Sequence, residues 1–137
     1  GSEMCIRDRC EIDVDERYQH CIVPKMVLQP LVENAIVHGV ADLEEGYIKL
    51  WAEEDGGDLL LRVSDNGRGI APEVLDRLAR HEDIPGGHLG LNNVDRIIRL
   101  YYGEGYGLTA ESGDTGSRVT LRLPMTKGDS HAKGTDR

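Results

Sequence analysis

Phenylalanine is absent, and one tryptophan and five tyrosines make up the whole aromatic complement of a 137-residue chain. A core here must rest on Val, Leu and Ile rather than on large rings. No apolar run approaches the ~18 residues of a membrane-spanning helix, and no secretory leader is visible. Basic residues are in the minority: 16 Lys and Arg against 25 Asp and Glu leave a net charge of -9. That balance argues against non-specific contact with nucleic acid or an anionic membrane surface. An acidic domain that takes a polyphosphate needs local compensation from a divalent cation, backbone N–H groups or a few basic side chains. Cysteine is scarce too. Cys5, Cys10 and Cys21 are odd in number, crowd the start and lack metal-site spacing, which reads as reduced thiols rather than a disulfide frame.

What is present suits one domain with one core. Gly1-Ser2 looks like a cleavage scar, so the expected organisation is a non-native leader over 1–9, a folded domain over 10–125, and a disordered polar tail over 126–137. Residues 10–14 alternate Cys10, Ile12 and Val14 against Glu11 and Asp13, the pattern of a half-buried strand. Pro24 suits a helix opening and Gly39 a helix stop, while Pro30 predicts either a kink or a helix that starts near Gln29. Strands over 47–53 and 59–64 flank Asp55-Gly56-Gly57, a hairpin signal. A short helix over 72–80 offers Val74, Leu75 and Leu78 for packing, and residues 81–88 form a loop able to act as a flap. Leu91, Val94, Ile98 and Tyr101 step along one face of a second long helix closed by Gly103. A second hairpin, 107–112 with 118–123, follows. The order predicts a two-layer α/β (α+β) sandwich, with a mixed, mostly antiparallel sheet and helices on one face.

Three clusters carry chemistry. In 28–39, LQPLVENAIVHG, the residues Leu28, Leu31, Val32, Ala35 and Ile36 share an oily helix face. Glu33, Asn34 and His38 gather elsewhere on the same helix. The Asn34 amide oxygen suits a hard cation such as Mg²⁺, Glu33 can accept a proton, and His38 can meet a phosphate. The same three residues also read as the hydrated side of an ordinary amphipathic helix. Asp65 follows a buried strand, where a carboxylate can accept from an exocyclic amine, and Gly67 and Gly69 let a ring approach. Asp-Asn-Gly is equally a common turn. Third, Gly86-Gly87-His88-Leu89-Gly90-Leu91-Asn92-Asn93 runs a glycine loop into a helix N-terminus, a phosphate cradle by dipole and free N–H groups. It is neither a Walker A loop nor a Rossmann fingerprint, and it also reads as a flexible loop with an Asn cap.

Taken together, LVENAIVHG, DNGRGI and GGHLGLNNV resemble the N, G1 and G2 boxes of the GHKL ATPases, the superfamily of gyrase, Hsp90, histidine kinases and MutL. LQPLVENAIVHG, HLGLNNVDRIIRLYYGEGYGL and GDTGSRVTLRLP look like the catalytic domain of LytS/YesM-type bacterial sensor histidine kinases, and the resemblance spans about 10–125. It implies a Bergerat-type ATP-binding fold that binds ATP or ADP with Mg²⁺. By position it implies Asn34 as the Mg²⁺ ligand, with Glu33 as its acidic neighbour polarising the attacking group. His38 falls on the phosphate side. Asp65 falls at the adenine, with Gly67, Gly69 and Ile70 shaping that pocket. Gly86, Gly87, Gly90, Leu91 and Asn93 match the lid end, and Thr115, Gly116 and Ser117 match the late Gly-Thr element.

Three departures stand out. His88 occupies a position that is Gly in the general G2 pattern, Ile97 one that is often Arg in this subgroup, and Ser117 one that is usually Thr. The implied partners are a phosphoacceptor helical dimerisation domain of the same protein and a response regulator. The implied setting is the cytoplasmic part of a membrane-anchored receptor. No acceptor helix is recognisable here, and His20, His81 and His131 read as structural, loop or tail residues. A rival within the superfamily is a machine that hydrolyses ATP to drive conformational change.

Overall fold

The computed structural model describes residues 10–13, 25–36, 44–84 and 89–125. Their order is β1 (Cys10–Asp13), α1 (Lys25–Asn34), β2 (Ile48–Asp55), β3 (Asp58–Asp65), α2 (Pro72–Ala79), α3 (Leu89–Tyr102), β4 (Gly107–Gly113) and β5 (Gly116–Pro124). The strands form one five-stranded sheet in the order β1-β2-β3-β5-β4. Only β1 pairs in parallel, on β2; every other pairing is antiparallel. This is the mixed, mostly antiparallel two-layer sandwich that the alternating segments predict.

Alternation decides the faces. Ile48, Leu50, Leu59, Leu61, Val63, Val119, Leu121 and Leu123 are buried under the helices with Leu31, Leu91, Val94 and Ile98. Among the described residues no aromatic is buried, so aliphatic packing carries the core, at about 1.5–3 kcal/mol per fully buried side chain. The opposite face stays polar, as an antiparallel sheet allows. There Arg62 bonds Glu53 and Thr120, and Arg122 reaches Asp55 and Asp58. Trp51 lies beneath Lys49 and Arg118. Gly56 and Gly57, at φ +60 and +92, make the β2–β3 turn with the twist a two-residue hairpin needs.

Three local expectations are corrected. The first helix begins at Lys25 and runs through Pro30, then widens into a π turn at Ala35 and Ile36. Pro30 forfeits one hydrogen bond only a turn into the helix, where few are yet formed. Tyr101 is 71% exposed, and Tyr102 is the half-buried ring on the α3 core side. Counting 3.6 residues per turn from Leu91 reaches position 102 rather than 101 by the third turn. His81 is not a free loop residue: its Nδ1 lies 2.7 Å from Oδ2 of the buried Asp95. Met125, the last residue of the expected domain, packs on the core and donates its N–H to the Gly57 carbonyl at 3.1 Å. The leader 1–9 and the tail 126–137 lie outside the described residues, as do Val14, His20 and His131.

Candidate functional site

The first candidate cluster is built where β3 stops. Asp65 is the last residue of that strand and faces the helices. Its Oδ1 accepts the Gly67 N–H at 2.8 Å, and its Oδ2 accepts the Ser117 hydroxyl at 2.9 Å. The turn after it is held from several sides. Asn66 donates its N–H to the Tyr47 carbonyl, accepts the Tyr47 N–H on its side-chain oxygen, and donates its amide to Glu45. Gly69 sits at φ +84, and a Cβ there would fall 2.5 Å from the Ser112 oxygen. Ile70 donates its N–H to that same oxygen at 2.7 Å and buries its side chain in the core. A carboxylate is thereby fixed beside glycine backbone that a flat ring can approach.

Gly116 makes this end close-fitting. It opens β5 at φ +134, and a Cβ on it would lie 1.9 Å from the Asp65 carbonyl oxygen. Only glycine lets β5 start so near the end of β3. An open cavity of about 410 Å³ lies here, lined by Ser64, Asp65, Ser112, Thr115, Ser117 and Arg118 among others. Thr115 is exposed in the β4–β5 turn, whereas Ser117, two residues on, touches Asp65.

The second candidate cluster lies on two packed helices, α1 and α3. Asn34 is buried in the last turn of α1 and bonded there. Its neighbour Glu33 is exposed and accepts from Gln29 Nε2 at 2.8 Å. The first turn of α3 lies against α1: a Cβ on Gly90 would be 3.5 Å from Pro30 Cβ, an ordinary contact. Leu91 is fully buried and Asn93 exposed. Asn92, not singled out by the boxes, is buried and donates to Asp83 Oδ1 at 3.1 Å; Arg96 reaches the same oxygen at 2.8 Å. The Arg96 and Asn92 hydrogen bonds hold the Asp83 carboxyl below its ordinary range. His81 and Asp83 thus tie the segment after α2 to the flank of α3.

Of the sequence candidates, Asp65, Gly67, Gly69, Ile70 and Thr115 come together at the sheet end. Gly90 lies at the α1–α3 contact beside Pro30, with Leu91 buried next to it, while Asn34 is buried at the end of α1 and Glu33 is exposed. The two groups share only the buried core, to which Ile70 and Leu91 both belong, and neither Asn34 nor Gly90 is among the residues lining the cavity at Asp65. The cavity at Asp65 is walled by β3, β4, β5 and the β4–β5 turn. His38, Gly86, Gly87 and His88 lie outside the described residues. Ser112 and Asn92 carried no signal of their own in the sequence. Among the described residues no group of three or more His, Cys, Asp or Glu is placed to hold a metal ion. No helix among them is long and apolar enough to cross a membrane.

Residues 22–127 match the histidine kinase-, DNA gyrase B-, and HSP90-like ATPase family. The chain belongs to that family. Membership makes it a nucleotide-binding domain, and the relatives it resembles are sensor histidine kinases. It is 37% identical over 113 residues to sensor histidine kinase YpdA of Escherichia coli, covering 82% of this chain and 19% of YpdA. Against sensor histidine kinase YesM of Bacillus subtilis it is 34% identical over 115 residues, covering 82% of this chain and 19% of YesM. The chain therefore spans about a fifth of the length of these relatives. Among solved structures, the nucleotide-free catalytic domain of histidine kinase ThkA superposes with a TM-score of 0.66 at 23% identity, covering 86% of this chain and 78% of that one. At that identity the likeness bears on the fold alone. ThkA has also been seen in complex with the response regulator TrrA, with a TM-score of 0.63 at 23% identity, covering 89% of this chain and 35% of that one.

Proposed function

We propose that this chain holds Mg·ATP and presents its γ-phosphate to a histidine on a separate helical domain of a two-component sensor kinase. The observation that carries the reading is Asp65. Its carboxylate is half-buried at the cavity and already oriented by Ser117 and Gly67, so it can accept the exocyclic amine of adenine without rearrangement. Asn34 and Glu33, with the first turn of α3 at Gly90, Leu91 and Asn93, form the phosphate end. Free N–H groups there favour an anion, and no acidic side chain sits in that first turn to repel one.

The donor set fits Mg²⁺. Asn34 supplies a hard amide oxygen, too little for a cage, which suits an ion that keeps waters and phosphate oxygens as its other ligands. Asn34 would hold it, and it would supply charge neutralisation at the phosphates. The chain's own part is positioning: Asp65 sets the base, the α1–α3 contact sets the triphosphate, and Glu33 orients the attacking group. His38, Gly86 and Gly87 are proposed to complete the phosphate side. A response regulator is the proposed downstream partner, in line with the ThkA–TrrA complex, and the cytoplasmic side of a membrane-anchored receptor is the proposed setting.

The test supplies the acceptor. With labelled ATP and a separately produced histidine-bearing helical domain of the same protein, label should appear on the acceptor. Asn34→Ala should lower the transfer rate by roughly tenfold or more. Fast steady-state phosphate release without any acceptor, lost in Glu33→Ala, would instead mark a water-hydrolysing machine.

A further inference from the structure

We infer that Ser112 is a positioning residue for the purine end of this site, and that it sets how well the site tells one base from another. The strand register places it. Ser112 pairs with Ser117 across β4 and β5, and Ser117 pairs with Asp65 across β5 and β3. Three neighbouring strands thus carry a row of hydroxyl, hydroxyl and carboxylate. At the usual strand spacing that row spans about 10 Å, enough to bracket a purine. Ser112 stands at the far end from the carboxylate.

Its oxygen has a definite task. It accepts the Ile70 N–H at 2.7 Å and lies where a Gly69 side chain would have to go. The glycine turn that begins at Asp65 is therefore anchored at both ends by the same row: Gly67 on the carboxylate and Ile70 on the Ser112 hydroxyl. The hydroxyl proton has no acceptor among the described residues, and Ser112 lines the cavity, so the proton is available to a bound group. Discrimination between bases depends on donors and acceptors held in fixed places, and a frame free to drift accepts the wrong partner more easily.

This role rests on the nucleotide reading above. The test displaces a fluorescent ATP analogue with Mg·ATP or Mg·GTP from wild type, Ser112→Ala and Ser112→Thr. Wild type should prefer ATP. Ser112→Ala should weaken ATP about tenfold while GTP changes far less, and Ser112→Thr, which keeps the hydroxyl, should restore the preference. Should Ser112→Ala not fold, Ser112→Cys, similar in size and poor in hydrogen bonding, takes its place. Equal losses for the two nucleotides would reduce Ser112 to a fold-stabilising residue and overturn the inference. So would an unchanged ATP affinity, or a wild type with no preference. A wild type that binds neither the analogue nor ATP would overturn the nucleotide reading itself, and this role with it. Ordinary ATP binding in wild type with an indifferent Ser112→Ala would remove this role alone.

Discussion

Gly116 concentrates the demands of the site on one residue. It holds φ +134, a region closed to side chains, and leaves no room for a Cβ against the Asp65 carbonyl. Gly116→Ala must therefore push β5 away from the end of β3 or twist the strand start. We expect a loss of at least about 2 kcal/mol in stability by urea denaturation, and weaker nucleotide binding because Ser117 no longer reaches Asp65. A variant of wild-type stability would show that the strands separate here at little cost. Gly69 is tight for a different reason, the Ser112 oxygen, which belongs to a side chain and can rotate away.

At the scale of elements, α3 is tied to its neighbours through one buried carboxylate. Its buried Asp95 accepts the Leu108 N–H at 2.9 Å and pairs with His81 at 2.7 Å, joining β4 and the end of α2 to one carboxylate. Gly107 permits this, since a Cβ there would lie 2.6 Å from Asp95 Oδ1. Asp95→Ala should cost about 2–3 kcal/mol, because it leaves a buried N–H without an acceptor. His81→Ala should cost less, about 1 kcal/mol, since the imidazole is partly exposed. Paired urea denaturation curves check the order. A midpoint unmoved in Asp95→Ala would contradict the anchor.

These elements were unevenly legible. The hairpins could be read directly, because alternation and glycine turns are local: Asp55-Gly56-Gly57 lies between two runs of period two. The parallel pairing of β1 on β2 could not, since partner choice over such a separation is settled by packing. That the first helix starts at Lys25, as Pro24 suggests, rather than near Gln29 was not decided by the sequence: burial against α3 outweighs one missing bond at Pro30. His81 looked like a loop residue because its partner is 14 positions away and its backbone takes a left-handed turn at φ 59. At the site, Asp65 and its glycines were visible as a motif. Ser112 was not, since a serine near the end of an alternating strand looks like any polar residue.

Over the whole molecule, a polar sheet face, an aliphatic core and a layer of helices carry the two candidate clusters. One, at the end of β3, is proposed to read a base, and the other, where α1 and α3 touch, is proposed to meet phosphates. The net charge of -9 makes the site's own geometry, rather than any general basic surface, responsible for holding a polyanion. Nucleotide binding should therefore depend steeply on Asp65 and little on surface charge elsewhere. The most direct measurement is a calorimetric titration of Mg·ATP into wild type and Asp65→Asn, with folding of both confirmed by their melting curves. We predict binding to wild type and a loss of roughly tenfold or more in Asp65→Asn, the scale of one charge-assisted hydrogen bond. Equal affinities in two folded proteins would contradict the account.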